Sequence, residues 1–149
     1  MGLLKVGVYL SIICLLCFSK QSFALQGERS IWVIASAQSQ DQQLSLQQVK
    51  KTYLGMKVTL SNGLSRQALT YPLNSSIRSL FNVTVIGLTE SRIKTFWAQM
   101  RFTGRGSAAK VIADEQALFQ YLIKNPNTIG YVLEGTQLPQ EIKVLYTSL

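Results

Sequence analysis

Residues 114–132, with the sequence DEQALFQYLIKNPNTIGYV, contain a helical pattern that changes to a strand pattern across one short turn. Asp114 occupies the position of a helix N-cap, where a short side-chain oxygen accepts a hydrogen bond from the backbone. Four apolar residues follow at helical spacing: Leu118, Phe119, Leu122 and Ile123. Asn125-Pro126-Asn127 predicts a turn, and residues 128–132 are apolar enough to form a buried strand. A helix followed directly by a buried strand is typical of α/β domains.

Similar patterns occur in the rest of the chain. Further strands are predicted at residues 30–37, 57–60, 66–73 and 142–146. Helices are predicted after Ser45, from Ile77 and after Thr89, each with apolar residues three and four positions apart. The last of these helices carries an apolar stripe formed by Ile93, Phe96, Trp97 and Met100. We expect this stripe, and its tryptophan in particular, to be buried. The predicted order β-α-β-β-α-α-α-β-β indicates a single α/β domain.

The N-terminal segment has the three-part pattern of a secretory signal peptide. Lys5 supplies the positive charge, residues 6–18 form the apolar region, and Ser22-Phe23-Ala24 places small residues where signal peptidase recognises them. We expect cleavage after the alanine, which separates residues 1–24 from a mature domain of residues 25–149. The mature protein is then periplasmic or secreted and has no membrane span. The alternative is an uncleaved membrane anchor.

Composition excludes several classes of chemistry for the mature domain. The chain contains no histidine, and its two cysteines, Cys14 and Cys17, lie in the leader. Histidine-dependent triads, disulfides and metal sites built from His or Cys are therefore excluded. Ser91 and Lys94 have the spacing of a Ser–Lys dyad, but Lys94 is predicted to lie among surface charges of a helix. We therefore predict a protein that is not an enzyme and has no metal or other cofactor.

The net charge favours anionic partners. The whole chain carries +8, and loss of the two leader lysines, Lys5 and Lys20, leaves +6. An exported protein rarely meets nucleic acid, so we expect no nucleic-acid partner. Small anions, lipopolysaccharide or an anionic membrane surface are better matches for a basic exported domain.

Two segments are candidates for binding an anion. Ser75 and Ser76 precede a predicted helix, whose first N–H groups and positive dipole end suit phosphate-like oxyanions, and Arg78 adds a charge within one turn. The alternative is that a serine only caps the helix. The loop Gly104-Arg105-Gly106 is the second candidate, because glycines allow several N–H groups to converge. Its alternative is a hinge between two helices. Arg105 therefore joins Ser75, Ser76 and Arg78 as a candidate ligand-binding residue.

Five motifs occur in order between residues 31 and 146. They are LSLQQVKKTYLG at residues 44–55, Asn62-Gly63, residues 75–81, Phe96-Trp97 with residues 102–106, and NPNTIGYV at residues 125–132. In this order they resemble motifs of the phosphate-binding proteins of ABC transporters. The family counterparts are a Leu-Ser … Ile-Phe-Leu-Gly helix, an Asp-Gly, a Ser-Gly-Thr … Phe phosphate loop, a Trp … Gly-x-Gly segment and Pro-Gly-Ala-Ile-Gly-Tyr-Val.

This resemblance implies a type 2 periplasmic-binding-protein fold, with a mixed sheet flanked by helices. Family members have two lobes that close around the ion, whereas the mature chain has about half that size, so a one-lobe variant built around the second lobe is implied. Ser75 keeps the serine of the phosphate loop, but Ser76 and Ile77 replace its Gly and Thr. The Arg and Asp that precede the loop fall near Tyr71 and Leu73.

Two functions follow from these expectations. The first is a secreted, non-catalytic, solute-binding-like protein that recognises phosphate or another small oxyanion. The alternative is an envelope accessory or sensory interaction protein that keeps the fold without tight ligand binding. The expected partners are accordingly a small oxyanion, an envelope protein or a second copy of the chain.

Overall fold

The computed structural model describes residues 29–60, 63–103, 106 and 108–149. Within these residues, five strands form one mixed sheet: β1 (Ile31–Ser36), β2 (Gln67–Thr70), β3 (Lys110–Val111), β4 (Thr128–Leu133) and β5 (Ile142–Thr147). Their order in the sheet is β3-β2-β4-β1-β5. Strand β2 is parallel to β3 and β4, whereas β1 is antiparallel to β4 and β5. The predicted leader, residues 1–24, lies outside the described residues.

The described residues form four α-helices: α1 (Leu46–Tyr53), α2 (Ser76–Phe81), α3 (Glu90–Thr103) and α4 (Glu115–Lys124). Helix α1 begins with a capping box, in which Ser45 Oγ accepts from the Gln48 N–H at 3.3 Å and Gln48 Oε1 accepts from the Ser45 N–H at 2.8 Å. At the start of α4, Asp114 Oδ1 accepts from the Ala117 N–H at 2.8 Å. Both caps are as the sequence predicts, because capping depends only on neighbouring residues.

Helix α2 continues directly into a π-helical turn, Asn82–Ile86. Gly87 ends this turn with a φ of 80°, a left-handed conformation that glycine adopts without strain. The sequence predicts the break at Gly87 but not the wider turn before it. The π turn buries Asn82, and it carries the chain towards α3.

The helices pack on both faces of the sheet. On one face, the ring of Tyr131 in β4 stacks on Phe81 of α2 and meets the edge of Tyr53 of α1. Successive strand residues point to opposite faces, so Gly130 faces α4. A Cβ at Gly130 would lie 2.5 Å from Leu118 Cδ1, so any larger residue would displace α4 or its leucine. The predicted α/β fold, with a mixed sheet flanked by helices, is confirmed.

Two local strand predictions differ from the structure. Residues 57–60 form no regular strand, and Thr59 makes only an isolated antiparallel bridge to Ser65. In contrast, the short edge strand β3 is not predicted, because two exposed residues carry no recognisable periodicity. Its pairing with β2 depends on the tertiary placement of the segment.

The apolar stripe of α3 is less buried than predicted. Ile93 is buried, whereas Phe96, Trp97 and Met100 are partly exposed. Trp97 packs against the core from its margin, and its ring meets Phe96 edge-on with centroids 5.3 Å apart. The prediction of a buried Trp97 is therefore wrong in degree. Helical periodicity defines an apolar face but not how much of that face the rest of the chain covers.

In the part of the chain that the structure describes, no helix combines the length and the apolar character needed to cross a bilayer.

Candidate functional site

Four aromatic residues cluster around the carboxyl end of β2: Tyr53, Tyr71, Phe81 and Tyr131. The Tyr131 ring centroid lies 3.8 Å from that of Phe81 and 5.4 Å from that of Tyr71. The Tyr131 hydroxyl lies 2.9 Å from Thr70 Oγ1, and burial raises the pKa of Tyr131 above its ordinary value. The cluster therefore fixes the last residues of β2 against the helices above them.

A cavity of about 240 Å³ lies beside this cluster, at the carboxyl ends of the parallel strands β2 and β3. We call it the carboxyl-edge cavity. Its polar lining residues are Thr70, Arg78 and Asn82. Apolar residues from the C-cap of α1, the π turn, α3 and β3 complete its walls, among them Leu54, Ile86, Trp97 and Val111. Open α/β sheets bind ligands at this edge, outside the carboxyl ends of their strands.

Arg78 lines this cavity, but most of its hydrogen-bonding capacity is already used. Its Nε and Nη2 donate to Glu90 Oε2 and Oε1 at 3.0 and 2.8 Å, and Nη1 donates to the Tyr71 carbonyl at 2.8 Å. Asn82 Nδ2 donates to the same Glu90 carboxylate at 2.7 Å. Since a guanidinium has five N–H groups, Arg78 keeps two beyond these three bonds. The Glu90 carboxylate also offsets the positive charge of Arg78.

The two predicted serines lie at the start of α2 and do not line the cavity. Ser75 is the N-cap residue, with extended backbone angles, but its side chain makes no capping bond. Its Oγ donates instead to the Pro72 carbonyl at 3.0 Å. Ser76 is exposed. The serines and Arg78 thus share one short helix, and only Arg78 faces the cavity.

The second candidate for anion binding, the loop Gly104-Arg105-Gly106, lies mostly outside the described residues, since Gly104 and Arg105 are not among them. Gly106 is described, with a φ of 79°. A Cβ at Gly106 would lie 2.6 Å from the Gly55 carbonyl oxygen, so this glycine packs closely against Gly55, two residues beyond the end of α1.

Glu90 is a residue of this site that sequence analysis does not identify. Its position in the first turn of a helix is explained by the helix dipole alone. The structure shows that it also binds Arg78 and Asn82, which reach it from α2 and the π turn. This contact joins residues 12 positions apart on two different helices, and local sequence patterns do not contain it.

Among the described residues, no group of three or more acidic, Cys or His side chains could hold a metal ion. No protein-family model matches the chain, and no curated protein sequence matches it.

Solved structures share its fold. An ABC-type phosphate transport receptor from Vibrio cholerae superimposes with a TM-score of 0.60 at 11% identity, covering 79% of this chain and 47% of the receptor. A phosphate-bound structure from Clostridium perfringens, described as a phosphate ABC transporter substrate-binding protein, superimposes with a TM-score of 0.61 at 14% identity. The match covers 79% of this chain and 45% of that protein. PstS from Borrelia burgdorferi superimposes with a TM-score of 0.59 at 12% identity, and the match covers 78% of this chain and 46% of PstS.

These likenesses define the fold as a single lobe of a periplasmic-binding-protein fold. This chain spans less than half the length of each of these three structures. The expected resemblance to phosphate-transport receptors is therefore confirmed at the level of the fold.

Proposed function

We propose that this chain is an exported, non-catalytic, solute-binding-like protein that recognises phosphate or another small oxyanion at the carboxyl edge of its sheet. The observation that carries the proposal is the position of Arg78, which lines the carboxyl-edge cavity in a fold shared with phosphate transport receptors. Ser75 and Ser76 begin the helix that holds Arg78, and this supports a role for them at the mouth of the site. Arg105 remains a proposed contact to the ligand because it lies in the glycine-rich loop that the sequence indicates as an anion-binding candidate.

In this proposal, the oxyanion binds through N–H and O–H donors. Arg78 keeps two N–H groups, and the first N–H groups of α2 have no acceptor within the helix. The Ser75 hydroxyl exchanges its bond to Pro72 for one to the ligand. One lobe of this fold covers only one side of an ion, and the Glu90 carboxylate offsets the charge of Arg78. We therefore expect a dissociation constant in the high micromolar to millimolar range, or about −4 to −6 kcal/mol.

Calorimetric titration with phosphate and sulfate tests this site. We expect the double variant Ser75→Ala, Ser76→Ala to bind at least about threefold more weakly than wild type, because two hydroxyl donors are lost. Ser79→Ala is the matched control, since Ser79 is an exposed serine of the same helix beyond its start. Equal affinity of wild type and the double variant would exclude the serines from the site.

A second function is favoured by the apolar character of the same edge. Leu73 is 60% exposed and Val111 is 56% exposed, and both line the carboxyl-edge cavity. Exposed apolar surface around a concavity is typical of contacts with another protein. In this alternative, the domain is an envelope accessory or sensory subunit, and an envelope protein or a second copy covers this edge. Absence of any binding heat at about tens of millimolar phosphate and sulfate would favour it.

Export is tested by N-terminal sequencing of the mature protein. We expect the first residue to be Leu25, because the segment before it has the pattern of a cleaved signal peptide. A membrane-bound product that still begins at Met1 would contradict this proposal.

A further inference from the structure

The walls of the carboxyl-edge cavity are mostly apolar. Its described lining consists of the three polar residues Thr70, Arg78 and Asn82, of Tyr53, and of eight aliphatic or tryptophan residues. Ligand sites in proteins commonly combine apolar walls with a few polar groups that fix one end of the ligand. The lining of this cavity therefore matches a molecule that has one polar end and an apolar body.

The polar groups of the cavity lie next to one another. Arg78 Nη2 and Asn82 Nδ2 both donate to the Glu90 carboxylate, at 2.8 and 2.7 Å, so the two side chains meet at one side of the cavity. Arg78 Nη1 donates to the carbonyl of Tyr71, the residue that follows Thr70. Arg78 is the charged residue among the described lining, so this end favours an anionic group.

The donors at this end are too few to replace the water around a buried phosphate ion. Beyond the bonds to Glu90 and Tyr71, Arg78 keeps two N–H groups and Asn82 keeps one. The Thr70 hydroxyl is shared with Tyr131. A phosphate ion presents oxygens in all directions, and burial of a charged group without partners is unfavourable. An anionic group attached to an apolar body needs donors on one side only.

The volume of the cavity limits the size of the apolar body. The cavity measures about 240 Å³, whereas an apolar protein cavity of about 150 Å³ is enough to bind benzene. A benzene-sized group therefore fits beside one anionic group. Leu73 and Val111 line the same cavity and are exposed, so a ligand with an apolar body would cover them, which is favourable.

We propose that the carboxyl-edge cavity takes a small organic oxyanion, in which a phosphonate or carboxylate group is attached to an apolar body about as large as a benzene ring. The anionic group accepts from Arg78 and Asn82, and the body packs against Trp97 and the other apolar residues of the cavity. This inference rests on the proposed function, since it assigns the class of ligand at the same site. Inorganic phosphate is then the weaker ligand.

Calorimetric titration of the mature protein with phosphate, methylphosphonate, phenylphosphonate and benzyl alcohol tests the ligand class. The two phosphonates share their anionic group, so the difference between them measures the contribution of the apolar body. We expect phenylphosphonate to bind at least about tenfold more tightly than methylphosphonate. Benzyl alcohol carries the ring without the charge, and we expect it to bind at least about tenfold more weakly than phenylphosphonate.

A variant of the apolar wall tests where the ring binds. Leu73→Ser, Val111→Ser changes two exposed positions, so we expect the domain to fold, and circular dichroism checks this. Phenylphosphonate should bind at least about threefold more weakly to this variant than to wild type. Val83→Ser is the matched control, because Val83 is 59% exposed and is not among the residues that line the cavity. The control should bind phenylphosphonate as wild type does.

The outcomes separate this inference from the proposed function. If phosphate binds and both phosphonates bind with similar affinity, the inference is wrong and the proposed function stands. If none of the anions binds at about tens of millimolar, both are wrong. Benzyl alcohol binding as tightly as phenylphosphonate would also overturn both, since the charge would then contribute nothing. Unchanged phenylphosphonate binding by the folded Leu73→Ser, Val111→Ser variant would overturn the inference alone.

Discussion

Replacement of Phe81 by alanine is expected to lower the free energy of unfolding by about 3–5 kcal/mol, the range for truncating a buried aromatic residue. Phe81 is 1% exposed. Its ring lies nearly parallel to that of Tyr131, with centroids 3.8 Å apart, and 4.5 Å from that of Tyr53. The substitution removes the ring of α2 that contacts both Tyr53 of α1 and Tyr131 of β4, so these three elements lose their common contact.

Urea denaturation followed by circular dichroism measures this effect. Val83→Ala is the matched control, because Val83 lies two residues away in the π turn and is 59% exposed. We expect the control to change the free energy of unfolding by less than about 0.5 kcal/mol. Equal effects of the two substitutions would mean that the aromatic cluster does not hold the domain together.

Replacement of Glu90 by glutamine is expected to have opposite effects on stability and on anion binding. Glutamine keeps the shape of the side chain but loses the charge, so the ion pair with Arg78 becomes a single hydrogen bond. We expect the free energy of unfolding to fall by about 1–2 kcal/mol, since the Arg78 and Glu90 side chains are only 12% and 29% exposed. The affinity for phosphate at the carboxyl-edge cavity should rise about tenfold, because no neighbouring carboxylate then offsets the charge of Arg78.

Calorimetry and urea denaturation of the same variant measure both effects. Glu115→Gln is the control, because it removes one negative charge from an exposed position at the start of α4. The control should leave stability almost unchanged and phosphate affinity nearly so. A loss of stability in Glu90→Gln without any gain in affinity would show that Arg78 only stabilises the fold, and would favour the interaction protein over the oxyanion-binding protein.

Local sequence patterns predicted most of the elements that bring the candidate site together. The helix after Ser45 and the helix after Asp114 begin where their caps predict. Residues 128–132 form β4, whose Tyr131 anchors the aromatic cluster. These predictions succeed because capping and periodicity depend on residues a few positions apart.

The site itself was predicted less completely. Ser75, Ser76 and Arg78 do lie together on α2, yet the sequence did not indicate that Ser75 bonds to Pro72 or that Arg78 is held by Glu90. It also did not reveal that Asp41 pairs with Arg66, 25 residues away, or that Trp97 stays partly exposed. Apart from the local Ser75–Pro72 bond, each of these facts depends on residues that meet only after folding.

The sequence by itself determined the fold class, the starts of α1 and α4, the lack of histidine, the confinement of both cysteines to residues 1–24, and the excess of basic residues. Composition is a property of the whole sequence, and helix capping involves only a few neighbouring residues. Both can therefore be assessed without the tertiary structure. Only the tertiary structure decided which basic residues remain available to a ligand. Arg78 and Arg66 are both paired by carboxylates distant in sequence, and these pairings offset the positive charge that either side chain could offer an anion.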